Sequence, residues 1–280
     1  MNGDLLLATD GRERTDLAAD YAIALADHLD TGLSVLYVID ERLVEGVTDE
    51  ETQVSLEEEL ESLGRSIIDD VIERSGDVAI DASIRRGLPH QEIIEAADAG
   101  GLIILGRDIA ADTGESTATR VITRAEAPVL SVPLQAEEAP SKPLRSVLVP
   151  TDGSQYPLRA LSDALEWIDP DEGKVHGLYV VDSSVYDLAD APRSIIGILR
   201  EGGEAALADL ATQIDLPSVT FRRHIRRGSV TPVILEATKE FDPDIVALGS
   251  RGRTTGSDPI LGSTTKALLE QAAVPLLMAS

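Results

Sequence analysis

The run Leu248-Gly249-Ser250-Arg251-Gly252, followed after nine residues by Gly262-Ser263-Thr264, has the residue types and spacing to do chemistry. Glycines let a backbone approach an oxyanion closely, and the unpaired N–H groups of a helix start point at it. Ser263 and Thr264 add hydroxyl donors, and the ligand such a cradle suits is a phosphate chain. Arg251 and Arg253 lie in the intervening loop, either clamping phosphate oxygens or simply solvated. The plainer reading makes the glycines turn residues and Ser263 an N-cap. Two other phosphate loops are absent. No G-x-x-x-x-G-K-[ST] occurs, the glycine cluster at 197–203 lacking the Lys and Ser/Thr, and no G-x-G-x-x-G occurs either.

The elements that must hold this cradle are a strand before it and a helix after it. Ile245-Val246-Ala247-Leu248 is an apolar run suited to a buried parallel strand, and Lys266-Ala267-Leu268-Leu269 reads as a helix start. The same arrangement is written twice. Leu5-Leu6-Leu7-Ala8-Thr9-Asp10-Gly11 recurs as Val147-Leu148-Val149-Pro150-Thr151-Asp152-Gly153, about 142 residues on. Leu36-Tyr37-Val38-Ile39-Asp40 recurs as Leu178-Tyr179-Val180-Val181-Asp182, and Ile84-Arg85-Arg86-Gly87 as Ile225-Arg226-Arg227-Gly228. Ile103-Ile104-Leu105-Gly106 and Ala127-Pro128-Val129-Leu130 recur as Val246-Ala247-Leu248-Gly249 and Val274-Pro275-Leu276-Leu277. This is a tandem duplication, with domains over 1–136 and 144–280 and a polar, proline-bearing linker at 135–143.

Within each half, apolar strands alternate with helical patterns. Leu17, Tyr21, Leu25 and Leu29 recur at helical spacing, as do Leu56, Leu60, Leu63, Ile67 and Val71. Thr231-Pro232 reads as an N-cap with proline at the first helical position, and 154–157 starts another helix similarly. Four strand–helix units and a last strand make an α/β fold. Each half is a doubly wound sheet of five parallel strands, with its ligand crevice beyond the strands' carboxyl ends at the switch point.

Composition bounds the function. The chain has 280 residues, 50 acidic against 24 basic, a net charge of −26, and no cysteine. Only Lys142, Lys174, Lys239 and Lys266 are lysines, and a lysine-poor acidic surface reads as adaptation to high salt in a halophilic setting. Such a surface lacks the cations that nucleic-acid phosphates need. The absence of cysteine removes thiolate metal sites, disulfides and cysteine nucleophiles, and fits a cytoplasmic protein. The first residues carry no basic region before an apolar run, and no apolar run reaches about 18 residues, so no signal peptide or spanning helix is expected.

Together the repeat and the motif make the chain resemble the universal stress protein family (UspA-like), in its ATP-binding branch, with two copies fused. Gly249, Gly252, Gly262 and Ser263 match that family's G-x2-G-x9-G-[ST], and the Val-Pro-Thr-Asp-Gly-Ser opening at 149–154 fits as well. The resemblance implies a Rossmann-like, adenine nucleotide alpha hydrolase-like fold. It implies ATP as ligand, with Mg2+ or Mn2+ offsetting the phosphate charge and no metal-ligating side-chain set. Pro150 would wall the nucleoside, Asp152 accept a hydrogen bond from it, and Val180 read the adenine edge through its backbone. Leu248, Gly249, Ser250, Arg251, Gly252, Arg253, Gly262, Ser263 and Thr264 would surround the phosphates. Asp152 also has the ordinary reading of a structural cap. Single-copy relatives pair through their last strands, so 129–132 and 276–279 are expected to pair within one chain, and two chains could associate further.

The first half departs from the motif. Ile109 takes the place of the second glycine, and counting back from Pro128 puts Glu115 where Gly262 stands. A one-residue slip aligns Gly114 instead. A carboxylate there repels phosphate, so the first half is expected to have lost triphosphate binding and to serve as a dimer partner; Asp10, Val38 and Gly106 leave weak adenosine or AMP binding open. Elsewhere, Phe221-Arg222-Arg223-His224-Ile225-Arg226-Arg227 alternates faces at strand spacing and reads as a solvated strand. The matching Arg85-Arg86 points to a structural role in both halves. The four histidines (28, 90, 176, 224) show no metal spacing, Glu57 and Glu61 belong to a solvated face, and the family's nucleotidyltransferase relatives would need an H-x-G-H that is absent. No general base stands out, although Asp258 is a candidate. The leading reading is therefore a nucleotide-responsive regulator of the stress response, with a slow ATPase or phosphotransferase and a nucleotide-independent scaffold as alternatives.

Overall fold

The computed structural model describes residues 5–11, 16–97, 101–108, 116–134, 144–183, 193–250 and 261–279. Two compact units divide the chain, Met1–Ala139 and Pro140–Ser280. In the first, β1 (Leu5–Thr9), β2 (Leu33–Asp40), β3 (Ile80–Gly87), β4 (Leu102–Arg107) and β5 (Val129–Pro133) alternate with helices. These are α1 (Asp16–His28), the short α2 (Glu41–Glu45), α3 (Glu50–Arg74), α4 (Pro89–Ala96) and α5 (Thr117–Arg124). In the second, β6 (Ser146–Thr151), α6 (Tyr156–Leu165), β7 (Lys174–Asp182), α7 (Arg193–Thr212) and β8 (Thr220–Gly228) come first. There follow α8 (Val230–Phe241), β9 (Ile245–Gly249), α9 (Ser263–Gln271) and β10 (Leu276–Ala279).

Every described strand pair is parallel. The first unit runs β3-β2-β1-β4-β5 and the second β8-β7-β6-β9-β10, the doubly wound order the sequence pattern implies. Buried on both faces, the central strands are continuously apolar: Leu5, Leu7, Ile103 and Ile104 in one unit and Val147, Leu148, Ile245 and Val246 in the other are at most 1% exposed. The order places a switch point beside the carboxyl end of the first strand of each unit, between β1 and β4 and between β6 and β9.

Several helix details differ from the sequence pattern. α8 begins at Val230 with Ser229 as its N-cap, so Thr231 and Pro232 already lie inside the first turn. α6 is capped by Gln155, not Ser154, with Pro157 still in its first turn. In α3 the buried positions are Gly64, Ile68 and Val71, whereas Leu63 is exposed. The contact at this point is local: the Tyr37 ring lies on Gly64, where a Cβ would come within 2.5 Å of it, so the glycine is the residue that fits under the ring. Tyr179 lies on Gly203 in the same manner in the second unit.

Candidate functional site

Pro150 stands in β6 where the first half has Ala8, and its effect shows in the sheet. β1 pairs with β4 over four residues, from Leu5↔Leu102 to Ala8↔Leu105. β6 pairs with β9 over only two, Val147↔Ile245 and Leu148↔Val246. The ladder from β6 to β7 meanwhile runs on through Thr151↔Tyr179. A proline has no N–H to donate, so the ladder interrupted is the one to β9. The two central strands of the second unit therefore stay neighbours but share two fewer ladder pairs than those of the first.

The groups expected to read a nucleoside surround that opening. Asp152 directly follows β6, its Oδ1 accepting from the Ser154 N–H at 2.9 Å, and Gly153 takes a φ of +81° while donating to Thr151 Oγ1 at 3.0 Å. The structural cap is thus present at Asp152. β7 continues three residues past its last pairing with β6, and Val180, half-buried, pairs in this stretch with Arg226 of β8 alone. Its β6-facing side carries no strand neighbour there.

On the other flank, β9 ends at Leu248 and Gly249, both buried. Ser250, 2% exposed, contributes backbone: its N–H donates to the Ala279 carbonyl at 2.9 Å and its carbonyl accepts from Gly262 N–H at 3.1 Å. Residues 250 and 262 are therefore joined at the base of the segment between them. Arg251, Gly252, Arg253 and Asp258 lie outside the described residues, as do Ile109, Gly114 and Glu115 of the first half. Gly262 is the N-cap of α9, with no side-chain cap among the described residues. The first amide to take a helical acceptor is that of Lys266, on the Gly262 carbonyl at 2.9 Å. The amides of Ser263, Thr264 and Thr265 are the open donors of the helix start, with Ser263 exposed and Thr264 half-buried. An open N-terminus carries the positive end of the helix dipole, which suits an anion.

The first unit closes the same place. Ser116 is the N-cap of α5 and its Oγ accepts from Thr119 N–H at 3.2 Å. Arg107 stands where Ser250 does, 4% exposed, with Nη1 donating to the Ser131 carbonyl at 2.8 Å, and burial lowers its pKa to about 9. Ile67 packs on Gly11 so closely that a Cβ there has no room, whereas the matched Tyr–Gly contacts put Ala206 at the equivalent of Ile67.

Two groupings were not visible in the sequence. Thr265, 4% exposed, donates from Oγ1 to the Gly249 carbonyl at 2.9 Å. His176 Nδ1 lies 3.2 Å from His224 Nε2; the His176 ring stacks on Phe241 and the His224 ring is tilted against it. Burial, with the charges of His224, Arg222 and Lys174, pushes the His176 imidazole down to about 4. Comparing the halves was the available signal for both: Ala118 stands at the place of Thr265, and Ser34 and Ser83 at those of the histidines. The arginine clusters take structural partners, Arg86 with Glu57 at 2.8 Å in one unit and Arg226 with Glu240 at 2.6 Å in the other. Among the described residues no group of three or more potential ligands could hold a metal ion, and no helix is long and apolar enough to cross a membrane.

The sequence model of the Universal stress protein family matches residues 1–133 and again 143–280. A universal stress protein of Mycolicibacterium smegmatis is 24% identical over 291 residues, 98% of this chain and 96% of its own length. One from Methanocaldococcus jannaschii is 26% identical over 137 residues, 48% of this chain and 81% of its own. The crystal structure of a universal stress protein from Archaeoglobus fulgidus matches with a TM-score of 0.71 at 20% identity, covering 100% of this chain and 99% of that one.

Proposed function

The chain belongs to the universal stress protein family, and on that footing we propose that its C-terminal unit binds ATP and that occupancy regulates the protein's stress-related interactions. The observation that carries this reading is the shortened β6–β9 ladder at the switch point beside a helix α9 that starts without a side-chain cap, next to glycines at the family's motif spacing. The adenine lies against Pro150 and the β6-facing backbone of Val180, and Asp152 accepts from the ribose while keeping its turn. The phosphates take the amides of Ser263, Thr264 and Thr265 and the backbone at Gly249, with Gly252, Arg251 and Arg253 completing the cradle. A divalent ion, Mg2+ or Mn2+, would offset phosphate charge from the ligand side.

The N-terminal unit serves as a partner fold in a cytoplasmic, halophilic protein. Its last strand, β5, is expected to pair with β10 of the same chain, a pairing that solution scattering tests. Calorimetric titration of the full chain with Mg-ATP, in concentrated KCl, tests the ligand. Saturable heat with ATP that Gly252→Ala abolishes supports the reading; no saturable heat with ATP, AMP or adenosine sinks it.

A further inference from the structure

At Leu248 and Gly249 the β9 strand has no ladder partner in β6, since the β6–β9 ladder stops at Leu148↔Val246. It keeps β10, from Leu276↔Val246 to Ala279↔Gly249. A strand end held on one side moves more freely than one held on both, yet this end carries the first glycine of the cradle. What fixes it from above is Thr265. Its Oγ1 donates to the Gly249 carbonyl at 2.9 Å, tying the first turn of α9 to the free end of β9. The bond is buried, with Thr265 4% and Leu248 5% exposed, so water does not compete for it.

The first unit supplies the control. There β4 stays paired with β1 through Leu105, so the residue just before the matching Gly106 is held by strands on both sides. Counting back from Pro128 and Pro275 puts Ala118 at the place of Thr265, and the helix C-caps Ala125 and Ala272 confirm that register by bonding to Val121 and Leu268 respectively. Ala118 is buried and has no hydroxyl. The hydroxyl is present where the ladder is short and absent where it is longer.

We infer that Thr265 is a positioning residue for triphosphate binding: its hydroxyl holds the end of β9 and the open amides of α9 at one fixed spacing. This rests on the nucleotide reading above, and adds that the phosphate half of the site depends on a side chain that bonds only to protein. The nucleoside half, on β6 and β7, does not depend on it.

The test titrates the wild-type full chain and its Thr265→Val and Thr265→Ser variants with Mg-ATP and, separately, with adenosine. Val keeps the shape and removes the donor; Ser keeps the donor. Thr265→Val is expected to weaken Mg-ATP about tenfold, the effect of one lost buried hydrogen bond, while adenosine changes by less than about twofold. Thr265→Ser is expected to stay within about twofold of wild type for both ligands. Where Thr265→Val does not fold, Thr265→Ala, the residue the first unit buries at this place, gives the same comparison. Unchanged Mg-ATP affinity in the variant lacking the hydroxyl overturns the inference, as do equal losses for both ligands or a Ser variant as weak as the Val one. A wild-type chain that binds neither ligand fails at the earlier step and removes the nucleotide reading with it.

Discussion

The two switch points of this chain are built from the same plan and finished differently. Between β1 and β4 the ladder runs four residue pairs, the following helix is capped by its own Ser116, and a buried Arg107 fills the end of the strand. Between β6 and β9 the ladder stops after two pairs, the following helix starts at a glycine with no side-chain cap, and the Ser250 backbone bonds Ala279 and Gly262. A few local differences separate the two: Ala8 against Pro150, a helix N-cap at Ser116 against one a position earlier in the matched register, at Gly262, and Ala118 against Thr265. The first removes a ladder donor, the second leaves the helix-start amides without a side-chain cap, and the third adds a hydroxyl that ties the helix to the strand end.

The comparison breaks most sharply if the first unit's chemistry is copied into the second. Gly262→Glu puts a carboxylate where Glu115 aligns, at a φ of −60° that any residue accepts. Two unit charges about 4 Å apart near a surface repel by about 4 kcal/mol, so Mg-ATP affinity should fall at least about 100-fold. Thermal stability should hold, because an acidic group favours a helix start. Loss of the fold in the same variant, seen by circular dichroism, would mean that Gly262 is there for the backbone alone.

Pro150→Ala returns a ladder donor to β6. The expected result is a slightly higher melting temperature and Mg-ATP binding weaker by about tenfold, as the β6–β9 ladder lengthens at the switch point. A variant that binds as wild type would separate the shortened ladder from the site. Ser116→Ala tests the other side: loss of this cap should destabilise the first unit by about 1 kcal/mol in urea denaturation and leave Mg-ATP affinity unchanged.

The smallest effect is in pH. His176 in the folded second unit is depressed to about 4, chiefly by burial, from an ordinary value near 6.5. His224 is lowered by burial and by Arg226, against the opposing charge of Glu240. Between those values the unfolded chain binds the proton and the folded one does not, so stability rises with pH across that window. It is fully present above about 6.5 and is lost as pH falls towards 4. His176→Ser, copying Ser34, should flatten the urea midpoint between pH 7 and 5.

Much of this was legible in the sequence because it is periodic or repeated. The apolar strands, the helical stripe of Tyr21 and Leu25, the tandem copies and the glycine spacing each recur at a period that backbone geometry imposes. What was not legible depends on a third dimension. Nothing in Leu148-Val149-Pro150 says which of two neighbouring ladders loses a donor; only the strand order does. Thr265 reaches a carbonyl 16 residues back, a distance with no period. Leu63 fits the helical stripe by spacing, yet Gly64, under the Tyr37 ring, and Ile68 are buried in α3 while Leu63 is exposed. His176 and His224 sit 48 residues apart in sequence and meet because β7 and β8 are neighbours.

The most direct test of the central claim is to count nucleotide. Protein purified in concentrated KCl and saturated with Mg-ATP is freed of excess ligand and denatured, and its extract is chromatographed against the amount of chain. The account predicts about one ATP per chain, retained in Ser116→Ala and lost in Gly262→Glu. Close to two per chain, or one that survives Gly262→Glu, would contradict it, because the capped switch point of the first unit would then be binding triphosphate as well as the open one.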